Sequence, residues 1–318
     1  MTIFIYEHLT SGALSEEVFS AGLMHEGELM LESICRDLLA YGYKVALMRD
    51  SRLPALTIPT DRLTTYPIQN QLQFTETWQQ CQQHYDFFLV IAPETDSILF
   101  NFVLSLEQQQ KRIFNCSSSA IRLCSDKYLC YQHLKKHHIT TPKTFTANDW
   151  LSEDHSTKAQ WIIKPIDGAG CENTYCSDSV DTRQRLSTLP KDKFIVQTYI
   201  SGENLSLSLF INEGETQLLS VNIQHIKQDQ QQLHLGYCEA QRFDMLSREQ
   251  ALSLANQISH CIDGLSGFVG IDIVKTTNAI YVIEVNPRLT STYAEPAMRE
   301  KTNPSETLNK QIQALLAK

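Results

Sequence analysis

The sequence predicts an α/β parallel layer at the N-terminal end and an α+β, largely antiparallel architecture beyond it. Three observations carry that expectation. An apolar run at Ile3-Phe-Ile-Tyr6 is followed by a helical pattern and a second run, Lys44-Val-Ala-Leu-Met48, the β-loop-α-β order of a Rossmann-like sheet. From Phe194 to Glu239 strand-like runs succeed one another, as an antiparallel sheet requires. Two further apolar runs, Gly267–Val274 and Ile280–Arg288, flank a short polar turn and read as a hairpin. At 318 residues and 42% hydrophobic, the chain can bury a core large enough for two or three subdomains.

Charge and cysteine usage narrow the function. A net charge of −9 with no basic stripe argues against nucleic acid as a partner. No apolar run approaches the length of a membrane span, and Met1–Tyr6 is too short for a secretion signal before Glu7-His8. Nine cysteines, an odd number without a C-x-x-C, fit reduced thiols in a cytoplasmic enzyme. His133, His137 and His138 fall on one helix, where a solvated face is a better reading than a metal site.

In chain order, a loop of small and polar residues runs up to Gly27, and a helix from Glu26 to Tyr41 follows. Leu31, Ile34, Leu38 and Leu39 form its apolar stripe and Gly42 its C-terminal stop. Phe87–Ile91 and Arg112–Phe114 are buried-strand candidates. Tyr6, Glu7, the Gly22–Gly27 loop and Glu94 then sit at the carboxyl ends of strands, where such sheets bind ligands, although each alone reads better as ordinary surface loop. No G-x-G-x-x-G follows the first strand, so a dinucleotide is not expected. Serines 117–119 can cap a helix, and Asp126-Lys127 opens another.

Trp161-Ile-Ile-Lys164-Pro165 is a short strand ending in a lysine, and Asp167-Gly168-Ala-Gly170-Cys-Glu172 is a small glycine loop before the return strand Thr174–Cys176. Such a loop lets backbone N–H groups approach phosphates, but by itself it is most often a plain hairpin, and it lacks the Gly-Lys-Ser/Thr of a P-loop. Phe194–Ile200 and a Ser201-Gly202-Glu203 turn come next. Leu205-Ser-Leu-Ser-Leu209 then alternates strictly, one face apolar and one hydroxylic. Helices are expected over 248–262 and 305–316.

The hairpin carries the chemistry. Glu284 and Asn286 are two apart and share a strand face. With the turn centred on Thr277, Asp272 falls opposite Val282, Gly270 opposite Glu284, and Glu284 is the diagonal neighbour of Asp272. Carboxylates in apolar strands need partners, and two carboxylates with an amide oxygen make a hard set suited to Mg²⁺. Either acid alone reads better as solvent-facing; the trio closed by Pro287-Arg288 reverses that.

Taken in order, Lys127, Lys164-Pro165 with its glycine loop, the 197–203 turn and the Asp272/Glu284/Asn286/Arg288 tail resemble the ATP-grasp ligases over about the last two-thirds of the chain. The resemblance implies a Rossmann-like pre-ATP-grasp domain over 1–115, a lid subdomain over 116–196 and a metal-binding subdomain over 197–318. It implies that Lys127 and Lys164 contact ATP phosphates under the Gly168–Gly170 loop. Gln197 (often Glu in relatives), Tyr199 and Ile200 would line the adenine, and Glu203 would bind ribose. Asp272, Glu284 and Asn286 would hold Mg²⁺, with Mn²⁺ as a substitute, and Arg288 and Lys164 would act in catalysis. The implied reaction joins a small-molecule acid and amine through an acyl phosphate and releases ADP; a homodimer is compatible with it. Glu284-Val-Asn286-Pro287-Arg288-Leu-Thr-Ser, Ala92-Pro93-Glu94 and Ser125-Asp126-Lys127 resemble in particular the tyramine–glutamate ligases of methanofuran-type cofactor biosynthesis, which implies glutamate and either tyramine or tyrosine. A ligase for another amino-acid or peptide pair keeps every motif. A nucleotide-binding sensor without turnover keeps the lysines but has no need of the metal trio.

Overall fold

The computed structural model describes residues 1–316 apart from 19, 59 and 169. The first sheet comprises β1 (Thr2–Glu7), β2 (Lys44–Asp50), β3 (Leu63–Ile68), β4 (Phe87–Ile91) and β5 (Arg112–Ile113), in the order β3-β2-β1-β4-β5 and parallel throughout. Central β1 is apolar on both faces because both are covered. Ile3 and Ile5 pack with Leu31, Ile34 and Leu38, whereas Phe4 and Tyr6 pack with Trp78 and Phe88. Pro67 is tolerated because β3 is an edge strand.

The helix after β1, α1 (Ala21–Ala40), begins earlier than the sequence pattern suggests, so residues 22–27 are helical and not a loop. The two glycines lower local helix propensity and obscure the periodicity. Gly27 has a packing reason: a Cβ there would lie 2.8 Å from Glu7 Oε1, so the helix can pass the end of β1 only without a side chain. The other helices of this part are α2 (Gln71–His84) and α3 (Ile98–Gln108).

Two short helices lead out of the first sheet: α4 (Ser118–Ser125), capped by the Ser117 hydroxyl, and α5 (Lys127–Lys136), capped by Asp126 accepting from the Tyr128 and Leu129 N–H groups. The second sheet comprises β6 (Thr144–Thr146), β7 (Gln160–Pro165), β8 (Thr174–Asp178), β9 (Phe194–Thr198), β10 (Glu203–Asn212), β11 (Glu215–Asp229), β12 (Gln232–Glu239), β13 (Gly267–Lys275) and β14 (Ile280–Asn286). Their order is β14-β13-β10-β11-β12-β8-β7-β9-β6. The β12–β8 junction is narrow, pairing Gln232 with Tyr175 and Leu233 with Thr174. Beyond it, β6 to β9 with α6 (Ala147–Ser152) and α7 (Ser179–Leu186) enclose a core of their own around Trp150, Trp161, Leu186 and Phe194. The remaining helices are α8 (Arg248–Cys261), α9 (Pro296–Thr302) and α10 (Pro304–Leu316). Asp37 on α1 ties the ends of the chain together, accepting from Tyr293 Oη at 2.5 Å and from Arg299 Nη1 at 2.7 Å.

The hairpin register differs from the simple one. Lys275 pairs with Ile280 and Ile273 with Val282, but a bulge then inserts Ile283, so Asp272 lies directly opposite Glu284 and Gly270 opposite Asn286. The turn closes Lys275 on Ile280, one step from the expected register, and the bulge adds a second step, so that together they convert the expected diagonal pair into a facing one.

Candidate active site

A cavity of about 590 Å³ runs between the carboxyl ends of β1 and β4 and the inner face of the second sheet. Its polar end is built on the bulged hairpin. Asp272 and Glu284 face each other across it, and Asp272 accepts hydrogen bonds from Asn286 Nδ2 at 3.2 Å and Gln224 Nε2 at 2.9 Å. Glu284 Oε2 lies 3.5 Å from Lys127 Nζ, at the start of α5, and 3.8 Å from Lys164 Nζ, on β7. Three segments distant in sequence thus deliver two ammonium groups to one carboxylate. Lys127 also donates to the carbonyl of Gly168 in the glycine loop.

The electrostatics follow from this packing. Burial and then the neighbouring Glu284 charge push the Asp272 carboxyl up to about 7. Burial would raise Glu284 as well, but Lys127 and then Lys164 outweigh it and hold that carboxyl below its usual range. Burial lowers the Lys164 ammonium despite Glu284. Two facing, half-buried carboxylates with an amide beside them make an all-oxygen donor set whose mutual repulsion a divalent cation relieves, so the residues present fit Mg²⁺. Gly270 keeps the floor open, since a Cβ there would lie 2.9 Å from Thr290 Cγ2.

Arg288 donates its Nε–H to Glu94 Oε2 at 2.8 Å. Glu94 itself does not line the cavity, but it fixes a side chain that does. Gln197, Tyr199 and Ile200 line the cavity at the end of β9, near Ile162, Leu233, Leu235 and Ile283, which make an apolar slot. Gln197 is buried and donates from Nε2 to Thr144 Oγ1 at 2.9 Å, whereas Tyr199 is 39% exposed. Gly168 and Gly170 line the cavity as well, and Gly170 has φ +66°; residue 169 between them lies outside the described residues. Glu203 is exposed and absent from the lining, where Asn204 stands instead.

Several site residues escaped sequence reasoning. Gln224 comes from β11, and His8 and Glu26 from the first sheet's end of the cavity. Ser206 and Ser208 were legible as the hydroxyl face of an alternating strand, and both line the cavity. Glu7 lines it too, its carboxylate held by the N–H and Oγ1 of Thr10 at 2.7 and 2.6 Å. Tyr6, expected on the substrate side, is instead fully buried among Trp78, Phe74 and Phe102, because its ring belongs to the doubly covered strand. His133 bonds the Cys261 carbonyl at 2.6 Å, and among the described residues no group of three or more His, Cys, Asp and Glu is suited to a metal. Among the described residues, no helix is long and apolar enough to cross a membrane.

A parallel five-stranded layer feeding a nine-stranded sheet, with paired lysines and a carboxylate hairpin between them, defines an ATP-grasp architecture. Residues 124–292 match the ATP-grasp domain model and residues 43–121 match that of the pre ATP-grasp 3 domain; the chain belongs to the ATP-grasp family, whose members bind ATP. It is 26% identical over 295 residues to tyramine–L-glutamate ligase of Methanocaldococcus jannaschii, covering 92% of this chain and 84% of that one. Against the same-named protein of Methanocaldococcus fervens it is 27% identical over 312 residues, covering 94% and 91%. A crystal structure of an ATP-grasp superfamily protein from Archaeoglobus fulgidus superposes with a TM-score of 0.74 at 26% identity, covering 98% of this chain and 88% of that one.

Proposed function

We propose that the protein is an ADP-forming carboxylate–amine ligase that joins glutamate to tyramine or tyrosine. The observation that carries the reading is the convergence of Lys127 and Lys164 on Glu284, facing Asp272. It assembles two phosphate-neutralising cations and a metal-ligand set in one place at the end of the cavity. Similarity to two tyramine–L-glutamate ligases over more than nine-tenths of the chain supports the choice of substrates.

In this reading the adenine occupies the slot beside Gln197, Tyr199 and Ile200, with the ribose toward the Glu203-Asn204 turn. Lys127 and Lys164 leave Glu284 for the phosphates, and the Gly168–Gly170 loop covers them. Asp272, Glu284 and Asn286 hold Mg²⁺, or Mn²⁺ in its place, which neutralises charge on the phosphates when bound. A carboxylate oxygen of the acid attacks the γ-phosphorus and ADP leaves. Arg288 steadies the transferring group, and the amine then attacks the acyl carbon: a C–N bond forms, the C–O bond to phosphate breaks, and the amine loses a proton. The enclosed cavity keeps water from the acyl phosphate. The 1–115, 116–196 and 197–318 segments act as substrate-side domain, lid and metal-binding subdomain. The setting is cytoplasmic, and the partners are small molecules without nucleic acid or membrane, in a monomer or homodimer.

The test is a phosphate-release screen of candidate acids against candidate amines. Release that needs both glutamate and a phenolic amine is the expected result; release with another acid and none with glutamate overturns the substrate assignment.

A further inference from the structure

The residues that root the glycine loop after β7 are held from outside the loop. Ile166 donates its N–H to the Lys193 carbonyl at 2.9 Å and accepts the Lys127 N–H at 2.9 Å. Gly168 accepts from the Lys127 ammonium. Asp167, between them, reaches the first sheet instead. Its Oδ2 accepts the Asp96 N–H at 2.9 Å, and its carbonyl lies 3.5 Å from Thr95 Oγ1.

Those partners belong to the 94–97 turn that follows β4. Asp96 and Ser97 have φ of +52° and +59°, left-handed backbone that costs an L-residue free energy, although Asp adopts it more readily than most. Such a turn persists where its surroundings fix it, and two contacts do so here. Glu94 holds the Arg288 Nε–H, and the Asp96 N–H holds Asp167. One turn of the first sheet therefore fastens both an arginine of the cavity wall and the root of the glycine loop. Gly168, Thr95 and Arg288 line the cavity, whereas Asp167, Asp96 and Glu94 do not.

We propose that Asp167 is a positioning residue for the phosphates: by accepting the Asp96 N–H it registers the root of the glycine loop against the turn that holds Arg288. The inference rests on the ligase reading, in which the loop covers the phosphates and Arg288 steadies the transferring group, and it names the element that aligns the two. In that reading the Lys127 ammonium turns to the phosphates and releases Gly168. Asp167 then supplies, among the described residues, the side-chain tie from the root to the first sheet. By charge alone a carboxylate near a polyphosphate weakens binding, so the proposal and simple electrostatics predict opposite signs for its removal.

The experiment measures affinity for a non-hydrolysable ATP analogue with Mg²⁺ by calorimetry, and the ratio of ADP to amide in turnover with glutamate and tyramine. It compares the native protein with Asp167→Asn, Asp167→Ala and Asp167→Ser. Asn loses the charge but keeps an oxygen for the Asp96 N–H; Ala and Ser lose the contact, Ser because its side chain is one bond shorter. Asp167→Ala and Asp167→Ser should weaken analogue binding about fivefold, the scale of one solvated charge-assisted hydrogen bond. They should also lower kcat and release about two or more ADP per amide, because a displaced loop admits water to the acyl phosphate. Asp167→Asn should stay within about twofold of the native protein in both readouts, since a neutral acceptor keeps most of the contact. A role in folding alone would lower the melting midpoint of the ligand-free protein and leave the ADP-to-amide ratio unchanged. Native affinity or a native ratio in Asp167→Ala, tighter binding in every variant, or equal losses in Asp167→Asn and Asp167→Ala each overturn the proposal. A native protein that forms no amide defeats the ligase reading, and the analogue affinities still decide the role of Asp167.

Discussion

Glu94, just past the end of β4, accepts the Nε–H of Arg288, just past the end of β14, at 2.8 Å across 194 residues of sequence. This ion pair locks the parallel layer to the β13–β14 hairpin, and both side chains are largely buried, at 6% and 16% exposure. Glu94→Gln should therefore lower stability by about 3 kcal/mol, since it removes the foremost counter-charge of a largely buried guanidinium. As a positioning residue, Glu94 should affect kcat more than the KM for ATP, and Glu94→Asp should recover part of the loss. Unchanged kcat in Glu94→Gln would show that Arg288 needs no such anchor.

Lys127 and Lys164 reach Glu284 from separate elements, so their removal should be felt on nucleotide binding before it is felt on folding. Replacing either by Met should weaken ATP binding by roughly tenfold or more, the scale of one lost charge-assisted contact. Calorimetric titration decides it: native-like affinity in both variants contradicts their placement on the phosphates.

Glu284→Gln should leave the fold in place and abolish ligation. The variant removes the carboxylate that both lysines face and that opposes Asp272. Full activity with unchanged Mg²⁺ dependence removes Glu284 from the metal-ligand set.

The two glycines of α1 should respond oppositely to alanine. A Cβ added at Gly22 would meet no atom within 4 Å, so Gly22→Ala should stabilise by about 0.5 kcal/mol through helix propensity. At Gly27 the same methyl meets Glu7 Oε1 at 2.8 Å, and Gly27→Ala should destabilise by about 1–3 kcal/mol. Thermal or denaturant unfolding of the pair checks the packing of α1 on β1, and stabilisation by both would contradict it.

His8 supplies a pH dependence of stability. Its pKa is about 4 in the folded protein and near 6.5 when unfolded, so the unfolded chain takes up a proton that the folded one does not. Its contribution is complete above pH 6.5 and is lost as pH falls toward 4, a change of about 3 kcal/mol. His8→Leu should flatten that part of the stability–pH curve. An unaltered curve between pH 6.5 and 4 would show that His8 titrates normally.

Much of the site was readable because period-two alternation places Glu284 with Asn286, and Ser206 with Ser208, on single faces whatever the fold. The register across the hairpin was not, because the bulge at Ile283 leaves no mark in the alternation of either strand. The start of α1 was hidden by Gly22 and Gly27, glycines that look like loop residues until Glu7 is packed against one of them. Tyr6 looked accessible at a strand end but is consumed by the core, and His8, two residues on, lines the cavity in its place. Gln224 and Glu94 act through partners 48 and 194 residues away, pairings that only the tertiary fold creates.

Incubation with ATP, Mg²⁺, glutamate and tyramine, with nucleotide and product mass read together, tests the central claim most directly. The expected outcome is one ADP per product and a product lighter than the sum of its two substrates by one water. AMP with pyrophosphate, or ADP release without an amide, would contradict it.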